Sequence, residues 1–157
     1  MEPTSMDNYE YLHEVNTKSV IKLIRLAEPH LEKRKGTIVN VSSVASSKAA
    51  PQILYYSMAK AALDHYMRSR TQELARKGIR INNLNPGFIR TNAFAASGMT
   101  PAQEEEFLRG MESKIPLGRI GTSEEMAKTI AFLASDDASY VTGVAMTADG
   151  GLLQQAL

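Results

Sequence analysis

The order of elements along the chain predicts an α/β fold: a parallel sheet with helices on both faces, in three layers. Two long stretches with apolar positions at helical spacing each run straight into a short β-branched segment, and two capped helices lead into a third strand-like run. Parallel neighbours need a crossover of a dozen or more residues, and helices of this length supply it in right-handed form. The 157 residues, 43% hydrophobic and 22% charged, match the make-up of one soluble domain, so residues 1–157 are expected to form a single domain with its own core.

The elements follow in order. Leu12, Val15, Val20, Leu23, Leu26 and Leu31 recur at the spacing of a helix over about 7–35, with Thr4, Ser5 and Asp7 as candidate caps and Gly36 as the stop. Residues 37–43 are β-branched and short, lie after Gly36 and before a serine-rich loop, and predict a buried strand. Pro51 closes that loop. A second helix, 53–77, is rich in Ala and Leu and free of Gly and Pro, and Gly78 stands where a terminal glycine belongs. The strand 79–85 follows and stops at Pro86-Gly87, since proline cannot donate to a ladder and glycine permits a sharp turn. Thr100-Pro101-Ala102-Gln103 and Thr122-Ser123-Glu124-Glu125 each fit a capping box and start two further helices. A last strand, 140–148, ends in Asp149-Gly150-Gly151, a run suited to close backbone packing. Three strands make a thin sheet for this architecture, where four to six are common.

Composition narrows the function. Eighteen basic against seventeen acidic side chains leave a net charge of +1, so there is no long-range field to gather nucleic acid or an anionic membrane surface. No stretch is apolar enough to span a bilayer, and the first ten residues have no secretory or matrix-targeting pattern. With no cysteine, thiolate catalysis and cysteine-based zinc sites are excluded, and a cytoplasmic setting is expected. His13, His30 and His65 are scattered singly, so no metal site is expected.

The chemistry lies in the second helix. Tyr56 and Lys60 are four residues apart and project from one helix face. A free phenol ionises near 10, and using it near neutrality takes about 4 kcal/mol of preferential stabilisation of the phenolate. A neighbouring ammonium is expected to provide it. Alone, such a pair is more often a solvated helix surface. The context adds weight: Ser43 ends the preceding strand thirteen residues before Tyr56, where carboxyl ends of parallel strands meet ligands, and Asn16 lies in the first helix. Ser42 and Tyr55 have the same spacing, but only Tyr56 has a lysine four residues on. Strand-end turn and helix-surface roles are the plain alternatives for Ser43 and Asn16.

With these residues in place, the sequence resembles the short-chain dehydrogenase/reductase family over about residues 7–151. The resemblance is carried by Val15-Asn16, Asn40-Val41-Ser42-Ser43, Tyr56-Ser57-Met58-Ala59-Lys60-Ala61-Ala62, Ile79-Arg80-Ile81-Asn82, Asn85-Pro86-Gly87-Phe88-Ile89-Arg90-Thr91, Phe132-Leu133-Ala134-Ser135-Asp136, Thr142-Gly143 and Asp149-Gly150-Gly151. It implies a Rossmann-like fold and hydride transfer between NAD or NADP and a carbonyl or secondary alcohol of a small molecule, as in a 3-oxoacyl-thioester reductase. It implies that Tyr56 moves the hydroxyl proton, that Ser43 polarises the substrate oxygen, and that Lys60 lowers the phenol pKa and bonds the nicotinamide ribose. Asn16 would hold a water that relays protons. Cofactor binding would involve Tyr56, Lys60, Pro86, Gly87, Ile89 and Thr91, while residues 92–121, with Phe94, Met99, Phe107 and Met111, would cover the substrate.

The chain departs from the family pattern at one point. Family members begin with a strand and a glycine-rich turn for the pyrophosphate and later carry Asn-Asn-Ala-Gly, and none of the ten glycines here has that spacing. The expected object is therefore the C-terminal portion of such a fold, with the N-terminal strands missing and the strand 37–43 left as a bare edge. Two expectations follow: an oxidoreductase, or a truncated, non-catalytic subunit acting through helix-mediated dimerisation, as a homo-oligomer or with a full-length relative. NAD versus NADP preference and the substrate are not legible in these residues.

Overall fold

The computed structural model describes residues 2–92 and 98–154, so Phe94 lies outside the described residues. The first helical rod starts at α1 (Met6–His13), capped by the Ser5 hydroxyl, which accepts from the Asn8 N–H at 3.2 Å. It continues through a π turn (Glu14–Lys18) into α2 (Ser19–Arg34). The sequence predicts an uninterrupted α-helix here. A π turn adds one residue to one turn, so it leaves the apolar periodicity almost intact and escapes a pattern reading. Pro29 is accommodated inside α2, and the rod ends on Lys35, whose φ of 50° turns the chain before the Gly36 N–H bonds Leu31 O at 2.9 Å.

Three parallel strands form the main sheet in the order β1 (Thr37–Val41), β2 (Arg80–Pro86), β5 (Ala145–Ala148). Thr37 pairs with Arg80 and Val41 with Leu84, while Asn83 pairs with Ala145 and Pro86 with Ala148. The last strand is shorter than the predicted 140–148. The Thr142 hydroxyl takes the Ile81 N–H at 3.1 Å, and Gly143 sits at a φ of 77°, so the chain joins the ladder only afterwards. Two short pieces, β3 (Ile89–Arg90) and β4 (Gly121–Thr122), pair in a separate two-stranded sheet. Two-residue strands leave no alternation to read, which is why the sequence does not reveal them.

Alternation along β2 assigns the two faces. Ile81 joins Met67 and Leu74 of α3 (Leu54–Arg76), Ile24 of α2, Ile38 and Ile79 in the main core. Residues so fully buried contribute about 1.5–3 kcal/mol each. Arg80 points the other way, its guanidinium donating to Leu133 O at 2.8 Å and Ser135 O at 2.9 Å, the carbonyls at the end of α5 (Ser123–Ala134). Helices thus cover both faces, as predicted. Both capping boxes are formed: Thr100 with Gln103 starts α4 (Pro101–Glu112), and Thr122 with Glu125 starts α5. A second cluster of Leu108, Ile115, Ile120 and Leu152 packs α4 and the closing loop beside the sheet, with Gly150 and Gly151 in left-handed conformation against Ile115 and Pro116.

Glu28 of α2 binds Arg70 at 2.7 Å and Lys77 at 2.5 Å, tying the two long helices together. Among the described residues, β1 pairs on one side only. Val41 at that edge is 49% exposed. No helix among the described residues is long and apolar enough to cross a membrane.

Candidate functional site

The carboxyl end of β1 and the first turns of α3 meet at one place because the intervening loop is drawn tight. Ser43 is extended (φ −165°, ψ 154°) and caps the 3-10 turn Val44–Ser46, its hydroxyl accepting from the Ala45 N–H at 3.1 Å. A second 3-10 turn, Pro51–Ile53, then delivers the chain into α3. The Ser43 hydroxyl lies close enough to the Tyr56 phenol to hold its pKa down. One turn further along α3, the Lys60 ammonium lies 5.6 Å from the centre of the Tyr56 ring and donates to Val41 O at 2.9 Å. Ser43, Tyr56 and Lys60 are therefore brought together at the end of a parallel strand.

The neighbouring serine and tyrosine do other work. Ser42 faces inward, its hydroxyl donating to Lys60 O at 3.3 Å, and Tyr55 donates to Thr4 O at 3.1 Å with its ring edge-on to Tyr9. The pair at equal spacing is thus spent on packing α3 against the strand and α1.

Asn16 lies in the π turn, and its amide donates to Leu12 O of its own helix at 3.1 Å. The next residue, Thr17, donates to Ala59 O at 2.9 Å and fastens the π turn to α3 beside Lys60. The structure links Asn16 to the other three through that turn rather than by a direct bond. Such turns are frequent at functional sites.

Pro86 and Gly87 close β2 next to the end of β1. The Gly87 N–H bonds Ala148 O at 3.0 Å, and a Cβ at Gly87 would meet the Asp149 Cα at 2.8 Å, so only glycine fits this approach. Ile89 continues in β3, packed on Gly121, and Thr91 follows exposed at its end.

The electrostatics correct one expectation. The sequence predicts a phenol made more acidic by Lys60. In the structure burial pushes the Tyr56 pKa up, and the Ser43 hydrogen bond opposes this. Burial pushes the Lys60 pKa down, and the negative charge of Asp64 opposes it. The cause is positional: both groups are largely buried, and the ammonium sits over the ring with a hydrogen bond spent on a backbone carbonyl. Burial favours the neutral form of each group.

Sequence reasoning missed the support beneath this site. Asp64, one turn beyond Lys60 and 5% exposed, accepts from Asn83 at 2.7 Å and from Asn85 at 2.8 Å. Asn40 in turn donates to Asn83 at 2.9 Å, and Asn85 also donates to Ser43 O at 3.2 Å and the Ser46 hydroxyl at 2.9 Å. The signal was in the spacing: an acid four residues after Lys60, and Asn83 and Asn85 alternating onto one face of β2.

Known proteins resemble this chain throughout. A family model described as enoyl-(acyl carrier protein) reductase matches residues 1–153. The chain is 41% identical over 149 residues to 4-formylbenzenesulfonate dehydrogenase TsaC1/TsaC2 of Comamonas testosteroni, covering 92% of this chain and 58% of that protein. It is 39% identical over 148 residues to 3-oxoacyl-[acyl-carrier-protein] reductase FabG of Thermotoga maritima, covering 94% and 58%. A crystal structure of a Caenorhabditis elegans short-chain dehydrogenase/reductase of unknown function, solved with cofactor, superposes with a TM-score of 0.92 at 41% identity, over 97% of this chain and 58% of that one. The chain thus spans about 58% of the length of these relatives.

Proposed function

This chain belongs to the short-chain dehydrogenase/reductase family, and from that premise we propose that it carries the proton-transfer half of an NAD(P)-dependent oxidoreductase. The observation that carries the reading is the joining of Ser43, Tyr56 and Lys60 at the carboxyl end of β1. Open parallel sheets meet their ligands at that end.

The residues fit one end of a dinucleotide. Tyr56 and Lys60 offer a hydroxyl and an ammonium to a ribose, and Pro86, Gly87, Ile89 and Thr91 would flank the nicotinamide. For the pyrophosphate, the ten glycines offer no glycine-rich turn, so that contact belongs to residues other than these. When bound, the cofactor supplies or receives the hydride at the substrate carbon.

The chain's own groups handle the proton. In the reductive direction the Tyr56 O–H donates its proton to the carbonyl oxygen as that carbon becomes an alcohol carbon, leaving a phenolate. Ser43 donates a hydrogen bond to the same oxygen, and Lys60 stabilises the phenolate until solvent returns the proton, with Asn16 on the relay. Burial raises the Tyr56 pKa, so the phenol enters the reductive direction carrying its proton. General acid catalysis of this kind is worth roughly 10²–10⁴ in rate. The reductase and dehydrogenase relatives make a 3-oxoacyl thioester or an aromatic aldehyde the substrates to try first.

Titration with NADPH and NADH, followed by cofactor fluorescence, tests the reading. Saturable quenching of protein-bound cofactor, weakened in Lys60→Ala, supports it. No binding at millimolar cofactor defeats catalysis by this chain unaided.

A second reading, a non-catalytic subunit acting through helix-mediated dimerisation, is favoured by a groove along α1 and α2. Glu10, Glu14, Lys18, Lys22 and Arg25 line it, with Glu14 bridged to Lys18 at 2.6 Å and to Lys22 at 3.1 Å. Under a two-fold axis, Glu10 of one copy would face Arg25 of the next. Sedimentation decides: a salt-sensitive dimer supports this reading, and a monomer at all concentrations rules it out.

A further inference from the structure

Below the proposed site lies a buried polar cluster with one carboxylate at its centre. Asp64 has its two oxygens held by different amides of β2, Oδ1 by Asn83 at 2.7 Å and Oδ2 by Asn85 at 2.8 Å. A carboxylate accepts only, so both asparagines must present their NH2 groups to it. The remaining polarity follows from that choice. The Asn83 carbonyl is turned away from Asp64, where Asn40 donates to it at 2.9 Å. The Asn85 NH2 also serves Ser43 O at 3.2 Å and the Ser46 hydroxyl at 2.9 Å, while its Oδ1 is buried without a partner among the described residues. A buried unsatisfied acceptor costs free energy, so the orientation of Asn85 is imposed by Asp64 and the Ser43 loop together.

The same carboxylate stands one helical turn beyond Lys60. Among the described residues, the charged and titratable groups acting on Lys60 are Asp64 and Tyr56, both on α3. From β1 it meets the Val41 carbonyl, and β2 sets neutral amides behind Asp64. A buried ammonium bonded to one neutral carbonyl needs a counter-charge to stay charged.

Building on the reading of Ser43 and Lys60 given above, we propose that Asp64 is a positioning residue of this site. Its carboxylate, clamped by Asn83 and Asn85, supplies the counter-charge that holds the Lys60 ammonium at Val41 O and, through Asn85, fixes the backbone of Ser43. One buried acid thereby couples the cation of the site to the residue that orients the substrate oxygen.

The test is a pH titration of the lysine ε-carbons by NMR, with Lys60 assigned from the spectrum of Lys60→Met. In Asp64→Asn, and in the smaller Asp64→Ser should the first not fold, Lys60 gives up its proton with roughly tenfold weaker affinity than in the wild type. Asp64→Glu restores the wild-type midpoint. An unchanged Lys60 midpoint in a folded, charge-free variant overturns the proposal. So does loss of the fold in all three, since a charge-retaining variant that cannot fold marks a packing requirement. The titration needs no cofactor, so failure of the chain to bind nicotinamide would count against the proposed function and leave this result standing.

Discussion

Replacing Ser43 by alanine removes two bonds at once, and the structure separates their effects by pH. The first is the cap on the 3-10 turn Val44–Ser46, worth about 0.5–1 kcal/mol at any pH where the protein folds. The second is the hydrogen bond to Tyr56, which stabilises the phenolate more than the phenol. Tyr56 has its folded pKa raised above the ordinary 10. Such a group contributes stability that is complete below pH 10 and is lost as the pH rises through the folded value. Taking away the Ser43 donor raises that folded value further and steepens the loss. Ser43→Ala is therefore less stable than the wild type by about 0.5–1 kcal/mol at pH 7. Once the pH passes the raised folded value of the wild type, the gap grows to about 2 kcal/mol, since a hydrogen bond to a charged acceptor at a half-buried site adds about 1.5 kcal/mol. Urea unfolding at pH 7 and above pH 10 measures the gap, and tyrosinate absorbance, referenced to Tyr56→Phe, follows the ionisation. Ser42→Ala is the control, because Ser42 bonds only a helix carbonyl in this site. A gap that does not widen with pH, or a shift of the tyrosine transition in Ser42→Ala rather than Ser43→Ala, refutes the reasoning.

Other outcomes follow from the packing. Glu28→Gln breaks the clamp on Arg70 and Lys77 and destabilises the fold by about 1–2 kcal/mol at pH 7. Because the Glu28 pKa is held below 4.5, chiefly by Lys77, its contribution is present above pH 4.5 and disappears as the pH falls through the folded value. The two proteins converge in acid, as thermal melts would show. Leu74→Ala removes a fully buried side chain from the main core and costs about 2–5 kcal/mol, measured by urea unfolding with an unchanged m-value. Gly143→Ala forces a Cβ into a residue at φ 77° with Thr71 Cγ2 2.9 Å away. It lowers stability by about 1–2 kcal/mol, and an unaffected melting temperature would contradict the geometry.

Most of the fold was legible because its signals are local. Thr100 with Gln103 and Thr122 with Glu125 declare helix starts in four residues each, and Gly78 declares an end. The site was legible for the same reason: Tyr56 and Lys60 are bound by helical periodicity, and Ser43 by its place at a strand end. The rest depends on tertiary contacts. The π turn at Glu14–Lys18 hides within an unbroken apolar pattern, and β3 and β4 exist only because two short segments meet. The direction of the Tyr56 pKa is not legible in the sequence, because spacing shows that an ammonium is near, whereas only the fold shows it lying over the ring and bonded to Val41 O. Asp64 was passed over because its partners, Asn83 and Asn85, lie about twenty residues away.

The most direct test of the joint action of Ser43, Tyr56 and Lys60 in carbonyl reduction is isotope transfer. The chain is incubated with NADPH deuterated at the nicotinamide and a short 3-oxoacyl thioester, and the product is read by mass spectrometry. Deuterium at the new alcohol carbon, reduced roughly 10²–10⁴-fold in rate by Tyr56→Phe, is the predicted result. Transfer at the same rate with phenylalanine at position 56 would contradict the account.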